Sequence, residues 1–455
     1  MKDLVGVVWT RAGGKSVKMG DLVVTDQESR FTYEDGYAEI GLPGLGTLYS
    51  PQLFAGTTIP FMRREGFDLH PPLQGLIPAA SDTNFQRQLA LRWLEKRDIT
   101  IPPSGLEQDW LVLTQTGHGG IGHLDMFSSD QDADNWYAPG IEHRLHTIDT
   151  KFGFSLKHFL TWYDEVSAEY LGIIGPTPTV GGAIPKLPLS IPAAGWNNTI
   201  GLPTKKHTPG VTDVILKMEK NASYPGIVEI EALMLDLHEE AGFDVPRYWV
   251  SEIGEIPIIA VERFDRDKNN TPLVNETLLS IMAVASKDIT RRDNATYEKV
   301  ADLIKLANPP VISDKHGAAK HLLKRMVVAM LSGNGDLHLE NLSLTGIMGD
   351  YRFTPVYDPT PMRAYSIHNM LTPMSFGNYG ELDERGNSIH LRRALERFTR
   401  YLGLSADTLD QILESLQQVA ASLPERIYQL NRLPVEHKDR LIKVIQQTTE
   451  EIMPK

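Results

Sequence analysis

Phosphoryl transfer asks little covalent chemistry of a protein. It needs a cation on the phosphates, oxygen ligands for Mg²⁺ and a base at the acceptor hydroxyl. The segment GNGDLHLENLSL places Asp336 and Asn341 with four residues between them, the spacing of base and metal-binding amide in a protein-kinase catalytic loop. On that reading Asp336 is the base and Asn341 a magnesium ligand. Seventeen positions later Asp358 follows the β-prone stretch ending in Val356 and Tyr357, where a second metal-binding carboxylate belongs. Upstream, Lys217 sits among Val211, Val214, Ile215 and Leu216, so a strand would carry its ammonium to a phosphate. Fourteen residues on, Glu231 adjoins the helical apolar face of Ile227, Ile230, Met234, Leu237 and Ala241. A carboxylate placed so nearly inward needs a cation, and Lys217 would supply it. Finally IAVERFDR reads as a strand entering a connector, with adenine held by backbone around Glu262 and Phe264 and the ribose hydroxyls donating to Asp265. Each piece alone has an ordinary structural explanation, and it is their order along the chain that points to a kinase.

The elements that must position these residues change character along the chain. Residues 1–127 are rich in Gly, Pro and short alternating segments, with one clear helix over 84–98, and read as a small mixed N-terminal module. Residues 128–264 read as a β-rich nucleotide-binding lobe in the order β, α, β, β, the helix stopping at Gly242. Residues 175–210, full of Gly, Pro and Thr, are expected to be loop-like. Residues 265–455 read as a helical catalytic lobe. There Leu409, Ile412, Leu413, Leu416 and Val419 recur at helical spacing behind a Ser405 cap, with Pro424 expected to end the helix. The expected fold class is α+β: a protein-kinase-like bilobed fold with an extra N-terminal module.

The chain has 455 residues, 41% of them apolar, enough for ample cores. Its net charge of -13 argues against binding nucleic acid through the whole surface, so any DNA association is expected to run through a partner. It has no cysteine, which removes thiolate metal sites and a cysteine nucleophile, and no apolar run long enough to span a bilayer, so a cytoplasmic location is expected. Three weaker signals are set aside. GGKS at 13–16 lacks the first glycine of a P-loop, and DRDKNNTPLVNE at 265–276 lacks the turn glycine of a calcium loop. His118 and His123 have no acidic or cysteine partner at metal spacing except Asp125 and read as turn residues.

Taken together, TVGGAIPK at 179–186, HTPGVTDVILK at 207–217, EIEALMLDLHEEAGFDVP at 229–246, VERFDR at 261–266, GNGDLHLEN at 333–341 and TPVYD at 354–358 resemble the HipA-like kinases over most of the chain. TGHGGIGHL at 116–124 is similar to that family's glycine-rich turn closing the N-terminal module. The resemblance implies an ATP- and Mg²⁺-dependent serine/threonine kinase acting as the toxin of a toxin–antitoxin pair. It makes Lys217 the ATP-phosphate lysine, Asp336 the base, His338 the family's loop histidine, and Asn341 and Asp358 the metal ligands. It makes Thr179, Val180, Gly181, Gly182, Ala183 and Lys186 a phosphate-covering loop, with Thr179 where members carry an autophosphorylated serine. It further implies a small DNA-binding, HipB-like antitoxin as partner, no membrane partner, and a protein target that in the family includes an aminoacyl-tRNA synthetase. The chain departs from the family pattern at Ile184 and Pro185, at Glu340, which adds negative charge near Asp336, and in the proline-rich PTPMR that follows Asp358. A small-molecule phosphotransferase and a non-catalytic nucleotide-binding module remain the alternative readings.

Overall fold

The structure, a computed structural model, describes residues 3–81, 84–138, 143, 145–147, 185–219, 222–253, 255–307, 311–347 and 349–453. The chain forms two compact units. One comprises Met1–Asn221, Arg247–Glu276 and Ala283–Ala285, and the other Ala222–Pro246, Thr277–Met282 and Ser286–Lys455. The fold is α+β, the first unit mixed and the second mainly helical.

The first unit holds two larger antiparallel sheets and a two-stranded pair, His146–Thr147 with Thr199–Ile200. In one, strands Leu4–Thr10, Val17–Val24, Glu28–Tyr33 and Thr58–Met62 follow one another, with Leu124–Phe127 added beside the first. The GGKS string is the turn joining its first two strands, a hairpin tip with no phosphate-loop helix behind it. In the other, the order is Tyr248–Ile253, Ile256–Glu262, Val211–Met218, Lys186–Pro192. The helix Phe85–Lys96 starts where expected, the Asn84 side chain accepting from the Arg87 N–H at 2.9 Å. Its Leu89, Ala90, Trp93 and Leu94 pack on the second sheet through Leu187, Leu189, Leu216 and Ala260. A second helix, Leu106–Thr116, joins the cores: Val112 lies in this cluster, while Trp110 and Leu113 lie in the cluster under the first sheet.

The strand Lys186–Pro192 corrects the expectation that 175–210 is loop-like. Leu187, Leu189 and Ile191 alternate inward as a strand requires, and the prolines that disguised them are tolerated because this is an edge strand.

In the second unit the helix Ile227–Glu240 ends with the Gly242 N–H bonded to the Glu239 carbonyl at 2.7 Å and the Phe243 N–H to that of His238 at 3.0 Å. That double bond requires a left-handed residue, and Gly242 has φ 78°. The other end is fastened to the C-terminal helices Ala406–Gln429 and Val435–Ile452, Glu229 accepting from the Asn431 and Arg432 N–H groups at 2.7 and 2.8 Å. Pro424 does not end its helix, contrary to expectation, because Leu423 and Ile427 continue the buried face and hold the chain helical to Gln429. Ser405 occupies the cap position, but its hydroxyl pairs with that of Thr408. Among the described residues no helix is long and apolar enough to cross a membrane.

Candidate active site

In the first unit Lys217 and Lys186 are direct cross-strand partners, 5% and 6% exposed, so their side chains rise from the same face of the sheet. The opposite face is the apolar core of Val214, Leu216, Met218, Leu187 and Leu189. The lysine face continues in the next cross-strand row with Pro188, Ile215 and Val261. Adjacent ammonium groups on a buried face demand anionic charge. The loop residues Thr179, Val180, Gly181, Gly182, Ala183 and Ile184 lie outside the described residues.

The connector after Glu262 is fixed by charge. Glu262 accepts twice from Arg247, at 2.7 Å each, across a half-exposed strand pair, and Phe264 is half-buried. Asp265 is 2% exposed and accepts from Arg263 at 3.0 and 2.7 Å, from Arg266 at 2.8 Å and from the Gly122 N–H at 2.8 Å. Both arginines also donate to the Gly120 carbonyl, at 2.5 and 2.7 Å. The glycine-rich turn 116–124 and the VERFDR strand end are thus one device, a buried ion cluster locking a turn to a strand. This corrects the ribose role expected of Asp265, whose oxygens are committed inside the protein. Burial alone would raise the pKa of Asp265, but Arg263 and Arg266 outweigh it and bring it down to about 2.

The remaining weak signals resolve the same way. Asp267 accepts from the Asn269 and Thr271 N–H groups at 2.8 Å, a tight turn, and Glu276 accepts from the Thr47 N–H at 2.6 Å. His118 stacks on Phe127 at 4.8 Å, and His123 bonds the Gly44 carbonyl at 2.9 Å.

In the second unit the loop Gly333–Asn341 follows the helix Lys315–Leu331 and is held from several sides. The Asn334 side chain accepts from the Asp336 N–H at 2.7 Å, and the Asn341 Nδ2 donates to the Asp336 carbonyl at 2.7 Å. Leu337 and Leu339 anchor the loop in the core at 1% and 0% exposure, while the Asp336 side chain stays 31% exposed. The Tyr297 hydroxyl donates to the Leu337 carbonyl at 2.7 Å. Gly335 takes φ 66°, and a Cβ there would meet the Met370 carbonyl oxygen at 2.6 Å, so neither the conformation nor the space admits a side chain. His338, 1% exposed, accepts at Nδ1 from the Glu340 N–H at 3.3 Å, which leaves the proton on Nε2, 3.6 Å from the Asp336 carboxylate. At that distance the ring is too far from the carboxylate for a hydrogen bond.

The buried Tyr357 hydroxyl donates to the Glu340 carbonyl at 2.6 Å and bonds the Ser343 hydroxyl at 2.6 Å. Asp358, the next residue, is therefore tied to the end of the loop that carries Asn341, at φ 46°, a left-handed conformation that Asp tolerates better than most residues. Glu340 lies 3.7 Å from Arg292, which offsets the extra charge at this departure. Glu231 is 1% exposed on the helix Ile227–Glu240 of the same unit. Sequence reasoning did not find Asn334, Tyr297 and Tyr357. Of these only Asn334 carried a local signal, standing between two glycines with positive φ.

Asn341 bears on the metal. Its Nδ2 is used on Asp336, while its buried Oδ1 has no hydrogen-bond partner. Asp358 lies in irregular chain beyond the strand Asp350–Phe353, not at a strand end as expected, and is tied through Tyr357 to this loop. An orphaned carbonyl oxygen is the donor type Mg²⁺ takes, and Mg²⁺ binds through one or two protein oxygens plus phosphates and water. The residues present fit that ion.

Comparison with known proteins agrees with this geometry. Residues 179–423, just over half of the chain, match the HipA-like C-terminal domain family. A Haemophilus influenzae protein provisionally named a kinase is 24% identical over 246 residues, which span 48% of this chain and 68% of the relative. The HipA toxin of Shewanella oneidensis, solved with HipB and its operator DNA, matches at TM-score 0.58 and 17% identity over 95% of both chains, which shows a shared fold. The Helicobacter pylori proinflammatory kinase CtkA matches 58% of this chain and 93% of its own at TM-score 0.39 and 14% identity, too distant to add to that. By its sequence over 179–423 and its fold throughout, this chain belongs to the HipA-like kinase family.

Proposed function

We propose that this protein transfers the γ-phosphoryl group of ATP, with Mg²⁺, to a serine or threonine hydroxyl of a protein, as the toxin of a toxin–antitoxin pair. The observation that carries the reading is the loop Gly333–Asn341, in which the Asn341 Nδ2 donates to the Asp336 main-chain carbonyl and so fixes a part-exposed carboxylate and a buried amide oxygen without a hydrogen-bond partner in one loop. Asp336 accepts the acceptor hydroxyl's proton as the oxygen attacks phosphorus. Asn341 and Asp358 hold Mg²⁺, which neutralises charge on the phosphates when bound. Lys217 and Lys186 supply the phosphate cations, and the backbone near Glu262 and Phe264 takes the adenine. In this proposal residues 1–127, 128–264 and 265–455 keep their expected functional divisions. Family membership supports a HipB-like DNA-binding antitoxin as partner, because the Shewanella HipA is found with HipB and operator DNA. DNA contact is then indirect, the location cytoplasmic, and the target a protein such as an aminoacyl-tRNA synthetase.

ATP titration with and without Mg²⁺ tests the nucleotide part. Wild type should bind about tenfold more tightly with Mg²⁺, and Asn341→Ala should lose most of that gain, a difference of about 1.4 kcal/mol. Equal Mg²⁺ enhancement in wild type and Asn341→Ala removes Asn341 as a ligand.

A further inference from the structure

Five residues beyond Asp358, Arg363 is fixed to the base loop by main-chain bonds. Its N–H donates to the Gly333 carbonyl at 3.1 Å, and that of Met362 to the Asn334 carbonyl at 2.9 Å. Its Cγ would stand 2.9 Å from a Cβ on Gly335, the residue before the base. At the end of this stem the guanidinium is poorly served. Its Nε and Nη1 are buried without a hydrogen-bond partner. The neighbouring side chain is another cation: the Arg440 Nε donates to the Arg363 carbonyl at 3.0 Å and its Nη2 to the Asn369 side chain. Among the described residues neither guanidinium has a carboxylate at ion-pair distance. Glu451 is the acid Arg363 feels, and it lies beyond that distance. Alongside runs an exposed strip in which Ile367 and Met370 are 68% and 56% exposed.

Two half-buried arginines side by side, two donors of Arg363 being unmet, make an anion site. In a chain of net charge -13 such a local positive site is selective, because the rest of the surface repels acidic partners. Resting on the kinase reading above, we propose that Arg363 and Arg440 form an acceptor-side subsite that binds an Asp or Glu of the substrate protein. The Arg363 guanidinium receives the carboxylate, and the segment carrying it lies along Ile367 and Met370.

The test compares two fluorescein-labelled peptides that share a central serine, one flanked by glutamates and one by lysines. Binding to the full chain is read by anisotropy in the presence of MgADP. Wild type should bind the glutamate peptide at least about tenfold more tightly, a 1.4 kcal/mol preference. Arg363→Met keeps the stem over Gly335 but removes the charge, and should bring the ratio to near one. Arg363→Lys should restore most of it, which a purely structural arginine would not show. No acid preference in wild type, or an unchanged ratio in Arg363→Met, overturns the subsite. An acid preference without phosphoryl transfer from MgATP to the bound peptide supports the subsite while removing the kinase reading.

Discussion

The lysine sheet and the base loop solve one problem, holding charged groups still, by opposite means. On the sheet, Lys217 and Lys186 stand on regular strands, and a two-residue period sends them to one face and Val214, Leu216 and Leu187 to the other. On the loop, Asp336 and Asn341 stand on irregular backbone, fixed by side chains from elsewhere in the chain: Asn334 from within the loop, Tyr297 from a preceding helix and Tyr357 from beyond a hairpin. The sheet's precision is local, whereas that of the loop depends on distant support. Residues on the sheet should therefore tolerate substitution with loss of ligand affinity only, while supporting residues of the loop should carry both stability and rate.

The ion cluster at Asp265 marks the extreme of dependence on support and gives the largest expected effect on stability. Asp265→Asn leaves Arg263 and Arg266 buried without their counter-charge and should destabilise the protein by about 3–5 kcal/mol in denaturant titration. A loss under 1 kcal/mol would mean the arginines find other partners. The same group gives a pH dependence. Its pKa in the folded protein, about 2, lies below the ordinary 3.8, so its stabilisation is full above about pH 4 and disappears as pH falls toward 2. The shift corresponds to roughly 2 kcal/mol. Asp265→Asn should flatten that part of the acid-unfolding profile.

Smaller effects separate sheet from loop. Tyr357→Phe deletes the hydroxyl serving Glu340 and Ser343, and should lower stability by about 1–2 kcal/mol and phosphoryl transfer severalfold together. A change in only one would uncouple loop support from catalysis. Lys186→Met should raise the KM for ATP about tenfold with little change in melting temperature, since its partner strand keeps its apolar face. A large loss of stability would place Lys186 with the supports instead.

What was legible in the sequence follows the same division. The strand around Lys217, the buried helix around Glu231 and its stop at Gly242 were read correctly because period and capping are local. Lys186 was placed in a loop because Pro188 and Pro192 mask an alternating edge strand, and Pro424 was over-read as a stop because the continuing apolar face lies beyond it. Asp265 was given to the ribose because its real partners include Gly122, far away in sequence, which no local pattern announces. The DxxxxN spacing showed where the loop was, but the tyrosines holding it, Tyr297 and Tyr357, carried no motif.

The central claim is phosphoryl transfer with Asp336 as base, and the most direct measurement is incubation with γ-labelled ATP, Mg²⁺ and a bacterial lysate, beside an Asp336→Ala control of unchanged melting temperature. Removing a positioned general base lowers rates by about 10²–10⁴-fold, so label should appear on a discrete lysate protein with wild type and vanish with the variant. Equal labelling by both proteins, or ATP binding with no protein ever labelled, contradicts the account.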